Sequence, residues 1–283
     1  MQQLSGVIFL NLPHKLLWML ITLVIIVISV TAAVLIFYML INDSPWLTNG
    51  GLTIGSIRLN SDSMLVVSDL HVDANSSDLS IISELVKRSG VGVMVIAGDL
   101  FDRRIKVNDR EFRVMLRWLI QKLKLSGNNG KLTLIYVRSE SSHDPEVENS
   151  KPIKITRFSN VLVISVPRVI KVNFPNCSHA VYVTHGDYTV SDGLLAGLIN
   201  IVSLSLLKLP IVELMTRSLL NVTNDDWVII GHTHLPVIDS KLKVANPGSW
   251  KGIFFTKPYN GYIIVKCVNG RLMVKSSRVK SSI

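Results

Sequence analysis

Aspartate and histidine recur in this chain at the ends of apolar runs. Trp227-Val228-Ile229-Ile230 leads straight into Gly231-His232-Thr233-His234. Residues two apart in an extended segment point the same way, so both imidazoles can face one point. A neutral imidazole offers a nitrogen lone pair, and two on one face can chelate a metal ion. Upstream, Asp69-Leu70-His71 follows the run Met64 to Val67, and Val91 to Ala97 ends in Gly98-Asp99-Leu100-Phe101-Asp102. A further run, Val181 to Thr184, delivers His185-Gly186-Asp187. A single His-x-His is most often structural. Four apolar runs that each end in Asp or His, three of them beside a glycine that lets backbone turn close to a ligand, point to a site.

Asp69, His71, Asp99, His185, His232 and His234 are too many ligands for one tetrahedral ion. They suit two five- or six-coordinate ions sharing a carboxylate bridge, a pair that binds phosphoryl oxygens and activates a water for in-line attack. Mixed imidazole and carboxylate ligands favour Mn, Fe or Zn over Ca or Mg alone. The cofactor expectation is therefore two divalent metal ions.

The elements that must hold these residues can be read from periodicity. Leu52 to Leu59 and Met64 to Val67 read as paired strands. Asp78 to Ser89 carries Leu79, Ile82, Leu85 and Val86 on one helical face and is closed by Gly90. Val91 to Ala97 reads as a strand buried on both sides. Asp109 to Leu125 is a second amphipathic helix, and Leu132 to Val137 the next strand. Val161 to Val172 and His179 to Thr184 continue the β pattern. Gly261 to Val268 and Arg271 to Val274 form a hairpin about Asn269-Gly270, a type I′ turn signal. Strands alternating with helices early, and hairpins late, predict an α/β (α+β) fold with helices outside a sheet system. A domain over 51–274 and a basic, Ser-rich tail over 275–283 follow.

Ahead of the domain, Leu16 to Ile41 contains no charged residue. As a helix it would be about 39 Å long, more than the ~30 Å hydrocarbon core requires. It is too long for the apolar region of a cleaved signal peptide, so 16–41 reads as an uncleaved transmembrane helix after a short 1–15 segment. Lys15 precedes the run, and no basic residue follows until Arg58, so the positive-inside rule puts the domain outside the cytoplasm. The 42–50 linker is short. Asp192 to Leu220 is a second apolar stretch, broken at Lys208-Leu209-Pro210. His185 before it and His232 after it must reach one site, so it cannot be a single span. It reads either as helices buried in the domain or as an insert contacting the membrane.

The chain has 283 residues and a formal net charge of +10. That balance suits an anionic partner: a phosphate substrate or anionic membrane lipid. The positive charge is scattered rather than gathered on one helix, so nucleic acid is not favoured. Cys177 and Cys267 read as two buried thiols or one disulfide, and neither lies in a Cys-x-x-Cys zinc pattern. Oligomeric state leaves no mark in the sequence.

Taken together, Asp69-x-His71, Gly98-Asp99-x-x-Asp102, His185-Gly186 and Gly231-His232-x-His234 resemble the calcineurin-like metallophosphoesterase family, in that family's order. The resemblance covers roughly Met64 to Ser249, including Asn246-Pro247-Gly248-Ser249. It implies a two-sheet β-sandwich flanked by helices and a metal-dependent phosphoric ester hydrolase. By resemblance, Asp69, His71 and His234 hold the first metal, Asp99 bridges, and His185 and His232 hold the second. The family's Gly-Asn-His-Asp/Glu motif is altered here to Ser139-Glu140-Ser141-Ser142-His143-Asp144. Aligning His-Asp makes His143 the acid that protonates the leaving group and puts Ser142 at the ligand position. Aligning by distance from the strand puts Glu140 there instead. Arg103 and Arg138 resemble phosphate-contacting arginines. The expected activity is that of a membrane-anchored phosphoesterase acting on a phosphoester or pyrophosphate, with a lipid-linked substrate the class its anchor favours. The alternative is a catalytically weakened domain that serves as a binding module.

Overall fold

In the computed structural model, the described residues are 52–279 apart from 53, 74–78, 128–129, 142, 149–152 and 253–256, together with Lys15, Trp18, Met19, Ile21 and Thr22. The 16–41 span expected from sequence falls almost wholly outside them, as does Ser142. Among the described residues no single helix is long and apolar enough to cross a membrane.

Two mixed sheets carry the domain. The first runs β1(Ile54–Arg58), β9(Val169–Asn173), β10(Ala180–Thr184), β11(Trp227–Ile230), β13(Val244–Asn246), β12(Val237–Asp239). The second runs β15(Arg271–Arg278), β14(Gly261–Val268), β2(Ser63–Val67), β3(Val93–Ala97), β5(Leu132–Arg138), β8(Val161–Pro167), β7(Lys154–Phe158). A two-stranded ribbon, β4(Lys106–Val107) with β6(Glu146–Val147), sits apart. The helices are α1(Ile81–Ser89), α2(Asp109–Lys122), α3(Gly193–Leu206) and α4(Ile211–Leu219).

Alternation along the strands builds the layers. On β3, Val93, Val95 and Ala97 enter a core shared with Ile170 and Val172 of β9, Val181 and Val183 of β10 and Ile229 of β11. The intervening Met94 and Ile96 face the opposite way, against Ile82 and Val86 of α1 and Leu116 and Leu119 of α2. The strand is buried throughout because both its faces are covered, as its unbroken apolar run predicts. The outcome is a sandwich of two sheets with helices outside, the architecture expected. Asn108 caps α2, its Oδ1 accepting from the backbone N–H of Arg110 and Glu111, while Glu111 returns a bond to the Asn108 N–H.

Two expectations need correction. β1 and β2 do not pair with each other. β1 lies parallel to β9 at the edge of the first sheet, while β2 sits between β3 and β14 in the second. The Asn60–Asp62 turn carries the chain between sheets rather than back along one. The β pattern over Val161 to Val172 holds as two strands, divided at Arg168, whose φ of 59° swings the chain from one sheet to the other. Finally, β15 extends to Arg278, so residues 275–278 of the expected basic tail belong to a sheet. The hairpin turn has the expected hand: Asn269 and Gly270 have φ of 50° and 77°. Cys177 and Cys267 form a disulfide, joining the β9–β10 connection to β14 across the two sheets.

Candidate metal centre

Every candidate ligand leaves the carboxyl end of a strand with a parallel neighbour, where open α/β sheets place their sites. Asp69 and His71 follow β2, Asp99 follows β3, His185 follows β10, and His232 and His234 follow β11. Immediately past their strands, Asp69, His71, Asp99, His232 and His234 all adopt positive φ, between 43° and 68°. This left-handed conformation costs a residue with a Cβ roughly 1–2 kcal/mol, so five in one place are strain held by the surrounding fold. Backbone bonds across the loops do the holding. Asp69 and His71 donate to the carbonyls of Gly98 and Asp99, and the Gly231 N–H donates to that of His185.

The loops also approach closely. A Cβ on Gly98, whose φ is 74°, would lie 2.5 Å from Cβ of His185. Asn246, from the Asn246–Ser249 segment, donates to the Gly231 carbonyl at 2.8 Å, and the Trp250 N–H donates to that of Asp69 at 3.1 Å.

The side chains converge. Asp69, His71, Asp99 and His234 bring one ligand atom each within 4.8 Å of one another. His234 Nε2 lies 3.1 Å from Asp69 Oδ1, and His185 Nε2 lies 3.1 Å from Asp99 Oδ1. His232 Nδ1 is 3.1 Å from His185 Nε2. All six residues are buried apart from His234, which is partly so.

These groups fit divalent metal. The second nitrogen of His185 faces the Ala97 carbonyl at 3.1 Å, and that of His232 faces the Val190 carbonyl at 2.6 Å. A nitrogen facing a carbonyl must carry the proton, so in the neutral rings His185 Nε2 and His232 Nδ1 both present lone pairs to each other. A cation resolves that conflict. Among the described residues, buried His71 Nε2 and His234 Nδ1 have no hydrogen-bond partner, and both residues belong to this cluster.

In the metal-free fold a proton on His185 takes the place of that cation. Burial alone would raise the Asp99 carboxyl, but His185 and the Ser141 hydroxyl hold it well below the usual carboxylate range. Burial would lower His185, yet the adjoining Asp99 keeps it well above the ordinary imidazole value. Burial does lower His71 and His232, keeping both imidazoles neutral, the form that binds metal.

The neighbours divide into those the sequence named and those it did not. His143 lines the same cleft as His71, Asp99, His232 and His234, its ring 4.9 Å from that of His71. Glu140 turns away, paired with Arg168. Arg138 lines an adjoining cleft with Arg104 and Arg168, while Arg103 sits at the surface beside Asp73. Neither arginine is brought to the cluster. Asp102, in the motif but given no role, accepts from His71 Nδ1 at 2.9 Å and from Lys251 at 2.6 Å, and lies 3.6 Å from His143 Nδ1. Its spacing after Asp99 was the available signal, whereas Lys251 had none. The hydroxyls of Ser139 and Ser141 both donate to Asp99 Oδ1. Asp144 anchors their loop by accepting from the Leu100 and Ser139 N–H groups and from Tyr136. Its burial, with Asp99 nearby, pushes the carboxyl up to about 7.

No curated protein matches the chain. Solved structures similar to it include a mutant of Vps29 from Entamoeba histolytica, with 14% identity over 77% of this chain and 99% of that one and a TM-score of 0.39. A phosphoesterase-like protein of Streptococcus pneumoniae shares 16% over 80% and 96%, with a TM-score of 0.36. YfcE, a phosphoesterase from E. coli, shares 17% over 77% and 100%, with a TM-score of 0.35. A profile of the calcineurin-like phosphoesterase superfamily domain matches residues 63–270. With that match lying over the whole ligand set, the chain belongs to the calcineurin-like phosphoesterase superfamily.

Proposed function

We propose that this chain is a membrane-anchored hydrolase of phosphoesters or pyrophosphates, working at a site for two divalent ions. The observation that carries the reading is the facing pair His185 Nε2 and His232 Nδ1, set beside Asp99 and with both remaining nitrogens tied to carbonyls. Asp69, His71 and His234 would hold one ion, His185 and His232 the other, and Asp99 would serve both. Such a pair supplies Lewis acidity to the phosphoryl oxygens and a water ionisable near neutral pH.

The chain's own groups do the rest. Asp102 fixes the His71 tautomer by accepting from Nδ1, leaving Nε2 as the ligand atom. His143, half open to the cleft, donates a proton to the leaving-group oxygen. Lys251 neutralises Asp102 and brings positive charge to the rim where an anionic substrate enters. The uncharged 16–41 run supplies the anchor, and the Cys177–Cys267 disulfide favours an oxidising compartment outside the cytoplasm.

The test is hydrolysis of an aryl phosphodiester, a monoester and a pyrophosphate by the full chain with Mn²⁺ and with chelator. Metal-dependent turnover is expected, with His143→Ala lowering kcat by about 10²–10⁴ while metal content stays intact. Metal binding without turnover on any of the three would favour the binding-module reading.

A further inference from the structure

The α3 helix is built inside out. Its buried residues are Ala196, Gly197, Asn200 and Ser203, two small and two polar. Its outward face carries Leu194, Leu198, Ile201, Val202 and Leu206, at the spacing of one helical stripe, with Leu206 76% exposed, Val202 56% and Leu198 50%. Leu207 and Leu209 continue the exposed apolar surface past the helix end. Burying apolar side chains is the main favourable term of folding, so this arrangement discards it in water.

The inward polarity has a purpose. Asn200 donates to buried Glu213 of α4, which also accepts from Thr233 and Asn246. That network clamps α3 and α4 onto the ligand loop. Small residues allow the approach: a Cβ on Gly197 would lie 3.3 Å from the Thr233 carbonyl, and one on Gly193 3.4 Å from that of His232. The apolar stripe therefore begins at the metal cleft itself, where Gly193 and Leu194 share a wall with His71, His143 and His232.

We propose that the outer face of α3 docks on a lipid bilayer and sets the metal cleft against the headgroups, so that the substrate is a phosphoester of a membrane lipid. The substrate half rests on the hydrolase reading above; the docking half does not. Three observations choose a bilayer over other occupants. Residues 193–212 carry one charge, Lys208, and no exposed carboxylate, which suits an anionic lipid surface. The stripe is continuous with a phosphate-binding type of site, as a two-part lipid ligand requires. An uncharged 26-residue run precedes the domain by a linker of about ten residues, which extends to at most ~35 Å. A bilayer holding that run lies within reach of the domain.

The experiment uses the full chain reconstituted in phosphatidylcholine–phosphatidylglycerol vesicles, with and without brominated acyl chains. Leu206→Trp should show added fluorescence that brominated lipid quenches, whereas Val114→Trp, also well exposed but on α2, should not. Leu198→Ser with Leu206→Ser should lower hydrolysis of a vesicle-borne phosphatidyl ester at least tenfold relative to a soluble aryl phosphodiester. Unquenched Leu206→Trp overturns the docking, whether a second copy, a protein partner or the 16–41 run covers the face instead. Quenching with no hydrolysis of any ester leaves the docking standing and refutes the hydrolase. Quenching with equal loss on both esters refutes the lipid substrate.

Discussion

His232 Nδ1 lies 3.1 Å from His185 Nε2, and the far nitrogen of each ring is held by a main-chain carbonyl. Without metal, one of these facing nitrogens must carry a proton. Asp99 at 3.1 Å decides which: His185 is the ring held above its ordinary value.

That assignment predicts proton release. With the His185 pKa raised in the metal-free fold, the Asp99 pair contributes stability that is complete below the ordinary imidazole value. It is lost as pH climbs through the raised one. Metal must expel this proton, so calorimetry at pH 7 in buffers of differing ionisation enthalpy should show about one proton released per chain, and affinity rising with pH. Release of none would mean both rings are neutral beforehand.

Asp99 sits between the two halves of the ligand set, near both His71 and His185. Asp99→Ala should therefore empty both metal positions, whereas Glu140→Ala, whose carboxylate faces Arg168, should leave the metal content unchanged. Metal analysis of the purified variants decides it; full occupancy in Asp99→Ala would end the shared-ligand assignment.

Two glycines separate steric overlap from backbone hand. Gly98→Ala would drive a methyl into His185 at a left-handed position and should cost about 3–5 kcal/mol. Gly90→Ala, at φ 64° with no described residue within 4 Å of the added methyl, should cost only about 1 kcal/mol. Denaturant titration gives both numbers, and equal costs would show that crowding at Gly98 is relieved.

Glu213 accepts from three buried side-chain donors. Glu213→Ala strands Asn200 and Thr233, while Asn246 keeps the Gly231 carbonyl and the Thr233 hydroxyl as acceptors. The change should cost about 2–3 kcal/mol and loosen the His232–His234 loop, lowering metal affinity as well as the melting temperature. A lower melting temperature at undiminished metal affinity would show that the network supports the helices alone.

The disulfide closes a loop of 90 residues. Replacing both cysteines by serine should cost about 4–5 kcal/mol by chain entropy. A loss below about 1 kcal/mol would mean the unfolded chain is already compact there.

Much of this was legible in the sequence because the signals were local. An unbroken Val93–Ala97 run declares a strand covered on both faces, and a Gly beside Asp99 declares a tight turn at its end. What failed was assignment between layers. Nothing in Asn60–Asp62 or at Arg168 tells which of two sheets receives the next strand, since a turn and a crossover use similar residues. Lys251 and the Ser139 and Ser141 hydroxyls reach the site through folding alone, from segments with no periodic mark. The α3 helix was ambiguous for a different reason. A stretch apolar nearly all round does not reveal that its few polar residues would be the ones buried.

Five of the six ligands owe their aim to a reversal of backbone hand just past the strand. A protein engineer copying Asp69, His71, Asp99, His185, His232 and His234 onto another sandwich would transfer the donor atoms and lose the geometry. At the same sites a right-handed backbone sends each Cβ along a different vector. The portable unit is the strand-plus-loop, with its crossed main-chain bonds, and grafts should be cut at the strands.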